Sequence, residues 1–187
     1  MGKICPWWAG YLLANPLRKL IQHPEKILRP YLKPGMVAVD VGSGMGYFSL
    51  PMATLVADKG RVICVDLQER MLSSLRKRAK KAGMLARIET RLANVNSLNL
   101  DDEAGSADFV LAFAVVHEVP DQVRFLTEVG SVLKTKGTLL LSEPKGHVTA
   151  QQFAETKSAG QDIGLKIVDI PDIRGQLSAI LEKSPVS

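Results

Sequence analysis

The sequence predicts an α/β fold, a three-layer sandwich on a mostly parallel seven-stranded sheet with an antiparallel last strand. Three observations carry that expectation. Seven short apolar segments, rich in β-branched residues, recur along the chain. Helix-like segments separate most of them, and a strand reached through a helical crossover returns parallel and right-handed. Only residues 171–176 join the last two segments. A parallel connection needs about a dozen residues or more, so that pair runs antiparallel.

Residues 37–41 (VAVDV) form the first strand and run into glycines. Residues 47–56 read as a helix, with Pro51 close to its first turn, where a missing N–H is tolerated best. Residues 61–67 (RVICVDL) form the second strand. Residues 69–82 follow as a helix with Leu72, Leu75, Ala79 and Ala82 on one face. Arg76, Lys77, Lys80 and Lys81 fall mostly on the others, and Gly83 stops the helix. Residues 87–92 (RIETRL) alternate like a more exposed strand, and residues 94–106 are a polar loop. Residues 107–116 (ADFVLAFAVV) are nearly all apolar, as in a central strand buried on both faces. Residues 121–134 are helical, with Leu126, Val129 and Leu133 aligned. A buried strand at 137–143, a helix at 149–160 and strands at 165–170 and 177–182 complete the order. The first 33 residues hold Pro6, Pro16, Pro24, Pro30 and both tryptophans, and read as a lid or flap before a core at 34–187. The 187 residues suit one domain.

Composition excludes more than it identifies. Hydrophobic residues make up 46% and charged residues 23%, which excludes a disordered chain. Twenty-four basic against 19 acidic residues give a charge of +5, far from a nucleic-acid-binding tail. The only cysteines, Cys5 and Cys64, cannot build a disulfide framework or a CxxC metal site, and no metal site is read. No apolar run approaches the roughly 18 residues of a membrane span, and Pro6 and two tryptophans do not suit a signal peptide. A cytoplasmic protein is expected.

Function has to come from local motifs. Asp40-Val41-Gly42-Ser43-Gly44-Met45-Gly46 ends a strand and opens a helix. Glycines there let the backbone turn sharply and approach a ligand. A dinucleotide fingerprint from Gly42 would need its third glycine at position 47, which is Tyr47. No Gly-Lys-Ser/Thr follows, so the loop is not a phosphate-cradling P-loop either. Asp66 ends the second strand, where a carboxylate accepts hydrogen bonds from ribose hydroxyls. Acids at both strand ends suit a cationic nucleoside without phosphates.

With these residues, DVGSGMG followed by VICVDLQERML resembles the first two motifs of the class I S-adenosylmethionine-dependent methyltransferases, from about residue 33 to the C-terminus. The resemblance implies a Rossmann-like fold with S-adenosylmethionine as cofactor. It implies that Gly42, Ser43, Gly44 and Gly46 shape the loop at the methionine end, with Asp40 reaching the amino group through water. Asp66 would hold both ribose hydroxyls, and Leu67 would pack on the adenine. Asn94, with Val95 beside it, stands where relatives often carry Asp toward the adenine amino group. Ala112 would offer its carbonyl to the methionine ammonium.

The segment after the fourth strand, AVVHEVPD, is similar to small-molecule members of that family, as is Ser142-Glu143-Pro144-Lys145. It lacks the Asn/Asp-Pro-Pro-Tyr/Phe turn of enzymes that methylate base or glutamine nitrogens, and two cysteines are too few for arsenite chemistry. His117 suits proton removal near neutrality; ordering its loop is the competing role. Glu118 could orient it, although neighbours on an extended segment point apart. Cys5-Pro6-Trp7-Trp8 with Tyr11 reads as an aromatic lid, as core packing or as a dimer surface. The expected partner is a small-molecule substrate. Nucleic acid is disfavoured, since the basic run reads as a solvated helix face. An RNA or protein methyltransferase and a non-catalytic S-adenosylmethionine-binding module stay open as alternatives. The acceptor and the oligomeric state are not encoded legibly.

Overall fold

A computed structural model describes residues 23–185. The aromatic segment around Trp7 and Trp8 lies outside the described residues. The seven strands are ordered β3-β2-β1-β4-β5-β7-β6. The described chain groups into two compact units, residues 23–99 and 100–185.

The first unit opens with the short helix α1 (Pro24–Leu28) and continues through β1 (Val37–Val41), α2 (Ser49–Val56), β2 (Arg61–Asp66), α3 (Glu69–Lys81) and β3 (Ile88–Leu92). β1 and β2 pair in parallel with Asp40 beside Cys64, and β2 and β3 pair in parallel with Asp66 beside Leu92. The β-branched residues Val39, Val62 and Ile63 are fully buried, as expected of strands covered on both faces. α3 buries Met71, Leu72, Leu75 and Ala79. Ala82, expected on that face, is the exposed C-cap instead. The reason is local: Gly83 takes φ +69°, its N–H bonds the Lys80 carbonyl at 3.1 Å, and the Met84 N–H bonds Ala79 at 2.9 Å. That left-handed cap ends the helix one residue early.

The second unit holds β4 (Ala107–Phe113), α4 (Gln122–Val132), β5 (Leu133–Pro144), α5 (Ala150–Asp162), β6 (Leu165–Asp169) and β7 (Gln176–Lys183). β4 and β5 are parallel, while β7 pairs antiparallel with both β5 and β6, as the short last connection requires. Asp121 caps α4 by accepting the Arg124 N–H at 3.0 Å. Thr149 and Gln152 form a reciprocal capping box on α5.

Two boundaries differ from expectation. β4 stops at Phe113, not Val116, because Ala114 adopts φ +56° and sends the chain into a tight 3-10 turn at Val116–Glu118. The apolar run 107–116 carries no sign of that turn, since its residue types are equally suited to a strand. β5 starts at Leu133, before the expected Gly137, and α4 is correspondingly shorter. Regular pairing resumes only at Phe109 with Thr138. Lys136 at φ +65° makes the bulge between, and Lys134 reaches Asp108 at 2.6 Å.

Candidate active site

The loop after β1 folds against the end of β2. The N–H groups of Gly42 and Ser43 both donate to the Val65 carbonyl, at 2.9 and 3.0 Å. Gly42, Gly44 and Gly46 all take positive φ, a region that L side chains disfavour. Their surroundings differ. A Cβ on Gly46 would stand 3.0 Å from Leu75, so this glycine lets α3 approach the loop. A Cβ on Gly44 would meet nothing within 4 Å, so the backbone there borders open space. Ser43 is buried, and its Oγ has no hydrogen-bond partner among the described residues.

Asp66 fastens that loop. Its Oδ2 accepts the Gly44 N–H at 2.8 Å, and its Oδ1 accepts the Gln68 N–H at 2.8 Å. Burial pushes its carboxyl above the ordinary aspartate range, against the pull of the Gln68, Gly44 and Leu67 amides. A carboxylate has about four acceptor sites, so acceptor capacity is left for a ligand. Leu67, next to Asp66 in the chain, is 42% exposed, and Val95 is 59% exposed. The Asn94 amide oxygen accepts the Asn96 N–H at 2.8 Å and keeps one lone pair.

Asp40 is buried and faces inward. The Ser49 hydroxyl donates to its Oδ2 at 2.5 Å. Burial raises its pKa to about 7; Ser49 opposes the rise and the charge of Asp66 adds to it. Ser49 is a member of this cluster that sequence reasoning missed. It stands in the first turn of an apolar helix, where serine reads as a helix-start residue.

The basic run on α3 is not wholly a solvated face. Lys77 is exposed, but Arg76 bonds Thr90 at 2.9 Å and Glu69 at 2.5 Å. Arg78 donates from Nη1 to the Met45 carbonyl at 2.6 Å, between two of the loop glycines. A charged hydrogen bond of this kind contributes about 1.5–3 kcal/mol. Arg78→Met is therefore expected to loosen the loop and, if the loop holds S-adenosylmethionine as the resemblance implies, to weaken binding of S-adenosylhomocysteine about tenfold in titration calorimetry. Lys77→Met should leave it within experimental error, and equal effects would show that Arg78 does not support the loop.

Ala112 and His117 belong to the second unit. Ala112 is fully buried in β4 opposite Leu141. His117 lies in the 3-10 turn beyond it and is joined by two residues the sequence did not connect to it. Its Nδ1 bonds Glu143 Oε2 at the end of β5. Glu143 is 2% exposed, and its Oε1 accepts the backbone N–H groups of Val115 at 3.2 Å and Val116 at 2.7 Å. The left-handed turn at Ala114 precedes those two amides, and the Ala114 N–H itself bonds the Ser142 carbonyl at 2.7 Å. Glu118, the acid considered for orienting His117, stands 4.0 Å from Nε2. Glu143, 26 positions away, holds the ring by a direct hydrogen bond to Nδ1 instead. On the opposite side, His147 Nδ1 lies 3.4 Å from His117 Nε2.

No helix among the described residues is long and apolar enough to cross a membrane. A family model described as a methyltransferase domain matches residues 32–178. Over 112 residues the chain is 33% identical to an uncharacterized 37.1 kDa transposon protein of Streptomyces fradiae, covering 60% of this chain and 31% of that one. It is 31% identical over 112 residues to a demethylmenaquinone methyltransferase of Bacillus cereus, covering 60% of this chain and 46% of the relative. The matched stretch thus spans less than half the length of either relative. The crystal structure of an S-adenosylmethionine-dependent methyltransferase from Aquifex aeolicus has the same fold, with a TM-score of 0.85 at 23% identity over 96% of this chain and 99% of that one. Matched by the family model over most of its length, the chain belongs to the methyltransferase-domain family.

Proposed function

We propose that the protein transfers the methyl group of S-adenosylmethionine to a small-molecule acceptor. The observation that carries the reading is the Asp66 anchor, a carboxylate with unused acceptor capacity beside the exposed Leu67 and the open backbone at Gly44. The chain's residues fit the cofactor. The unpartnered Ser43 hydroxyl and the space before Gly44 suit a polar group at the loop, and Leu67 and Val95 suit the faces of a base.

In this reading Asp66 holds the ribose hydroxyls, and Leu67, Asn94 and Val95 receive the adenine. Gly42, Ser43, Gly44 and Gly46 form the loop at the methionine end. Asp40 acts on the amino group through water, and the Ala112 carbonyl accepts from the ammonium. S-adenosylmethionine supplies a methyl group on an already activated sulfonium, so the protein's share is alignment and exclusion of water. For a protic acceptor His117 is the residue on which the released proton comes to rest. A small-molecule acceptor is supported by the similarity to a methyltransferase named for demethylmenaquinone. The basic residues of α3 that are tied to Thr90, Glu69 and Met45 lend the nucleic-acid alternative no support.

Titration calorimetry tests the cofactor half. S-adenosylhomocysteine should bind with a dissociation constant of order micromolar, about −8 kcal/mol, and NAD should not compete. Failure of the wild-type protein to bind S-adenosylhomocysteine, or tight binding of NAD, would overturn the reading.

A further inference from the structure

Within the second unit Glu143 meets one ring nitrogen of His117 and His147 meets the other, and the mechanism above uses only the middle residue. We propose that they form a proton relay, with Glu143 fixing the tautomer of His117 and His147 taking the proton from the acceptor, and that the acceptor atom is the oxygen of an acidic hydroxyl, a phenol or an enol. The proposal rests on the methyltransferase reading and names the acceptor class for it.

The hydrogen-bond inventory sets the direction. Glu143 Oε1 is held by the Val115 and Val116 amides. A carboxylate presents acceptors only. Oε2 therefore accepts, and His117 Nδ1 carries a hydrogen. A neutral His117 then has its lone pair on Nε2. The atom facing that lone pair is Nδ1 of His147, at 3.4 Å, with ring centroids 5.3 Å apart and planes at 74°. His147 Nδ1 is the donor of that contact, which leaves Nε2 of the exposed His147 ring as the base at the outer end. The backbone holds the ring there: the His147 N–H bonds the Pro144 carbonyl at 2.9 Å, and the neighbouring Val148 is buried.

Proton transfer then balances. The acceptor O–H bond breaks and its proton forms a bond to His147 Nε2, while the electron pair stays on oxygen as the nucleophile. The His147 Nδ1 hydrogen passes to His117 Nε2. His147 ends neutral with its hydrogen on Nε2, and His117 ends as an imidazolium against the Glu143 carboxylate. Return to the starting state releases one proton to water. The charged and titratable groups facing His117 are Glu143 from β5, His147 from the turn after it, and Glu118 at 4.0 Å. Both Nδ1 atoms of the pair are engaged within the chain, and no three-residue metal-binding group occurs among the described residues.

A hydroxyl is the acceptor that needs this device. A thiol with a pKa near 8.5 is already partly ionised at neutral pH, and a neutral amine attacks with its own lone pair. A phenol, with a pKa near 10 as in tyrosine, is almost wholly protonated there.

Imidazole nitrogen resonances of the 15N-labelled protein test the relay without an acceptor. At pH 8 His117 should be the Nδ1–H tautomer, and both Glu143→Gln and His147→Gln should shift its nitrogen resonances. An Nε2–H tautomer in the wild type, or resonances indifferent to both substitutions, overturns the relay. Methyl transfer from radiolabelled cofactor to a panel of phenol, enol, thiol and amine probes tests the acceptor class. Labelling of hydroxyl probes supports it; a panel in which only thiols or amines are labelled, or none, overturns it. With a labelled hydroxyl probe, His147→Gln should lower kcat about 10²-fold near pH 7. The loss should shrink as the pH approaches the probe's own pKa, with KM little changed. A loss independent of pH overturns the relay in favour of a packing role. S-adenosylhomocysteine affinity separates the two layers: wild-type binding with a failed relay leaves the methyltransferase reading standing, and lost wild-type binding removes both.

Discussion

Asp66→Ala is expected to lower the affinity for S-adenosylhomocysteine by at least about 100-fold. In the proposed assignment two charge-assisted hydrogen bonds to ribose hydroxyls, each worth about 1.5–3 kcal/mol, disappear together, and each 1.4 kcal/mol is about tenfold in affinity. The same carboxylate also holds the Gly44 amide of the glycine loop and the Gln68 amide at the start of α3. Its removal leaves both amides to water and frees the loop, so the loss exceeds that of the ligand contacts alone. Asp66→Asn should fall between wild type and Ala, because its single amide oxygen cannot serve amides and hydroxyls together. Asp58→Ala is the control, an exposed acid whose ion pair to Arg87 lies on the surface. Calorimetry that finds Asp66→Ala within threefold of wild type would remove Asp66 from the cofactor site.

The parts of this site legible in the sequence are those written in consecutive residues. Gly42, Gly44 and Gly46 between two acids announce a tight turn after a strand, and Asp66 is marked by its place at the end of the next one. Their joint geometry follows from the parallel register of β1 and β2. The antiparallel β7 was legible for an equally simple reason, the length of the connection before it. What stayed hidden were contacts across elements. Arg78 belongs to a run of five basic residues within six positions and looks like its neighbours. Only the roughly 100° of helix rotation separating it from Lys77 aims it at Met45 instead of water. Glu143 was read as the tail of a buried strand, and its pairing with His117 spans 26 residues. Hydrophobic periodicity locates strands, but it does not report that Ala114 turns left-handed and brings two amides onto one carboxylate. The signal available was chemical: an acid at the end of an otherwise apolar strand, inside the sheet, needs donors, and a histidine after the adjacent strand is within reach of it.

Asp40 should make both stability and cofactor affinity depend on pH, in opposite senses. Its folded-state pKa of about 7 lies above the ordinary 3.8, mainly through burial, with Ser49 opposing and Asp66 adding to the rise. The folded protein therefore holds a proton that the unfolded chain has released, and the stability this lends is complete below pH 4 and is lost as pH rises through 7. A shift of that size corresponds to a few kcal/mol, about 4 at most, over the interval. Asp40→Asn keeps the size and an acceptor for Ser49 but cannot ionise. Its Tm should exceed that of wild type by several degrees at pH 8, with a smaller difference at pH 5. A variant less stable than wild type at pH 8 would mean that the buried carboxylate is compensated by contacts beyond Ser49. The cofactor product works the other way. In the proposed assignment an ammonium acts on Asp40 through water and favours the carboxylate, so binding below pH 7 must expel its proton. Wild-type affinity for S-adenosylhomocysteine should then rise from pH 5 toward pH 7, by up to about tenfold per unit. The binding heat should change between buffers of different ionisation enthalpy by the amount that reports proton release. In Asp40→Asn the affinity should be weaker at pH 8 and flatter across the range. Every other residue is the same in both proteins, so the difference between wild type and variant isolates Asp40. An identical pH profile in both would show that the carboxylate is insulated from the bound cation and serves Ser49 and the turn alone.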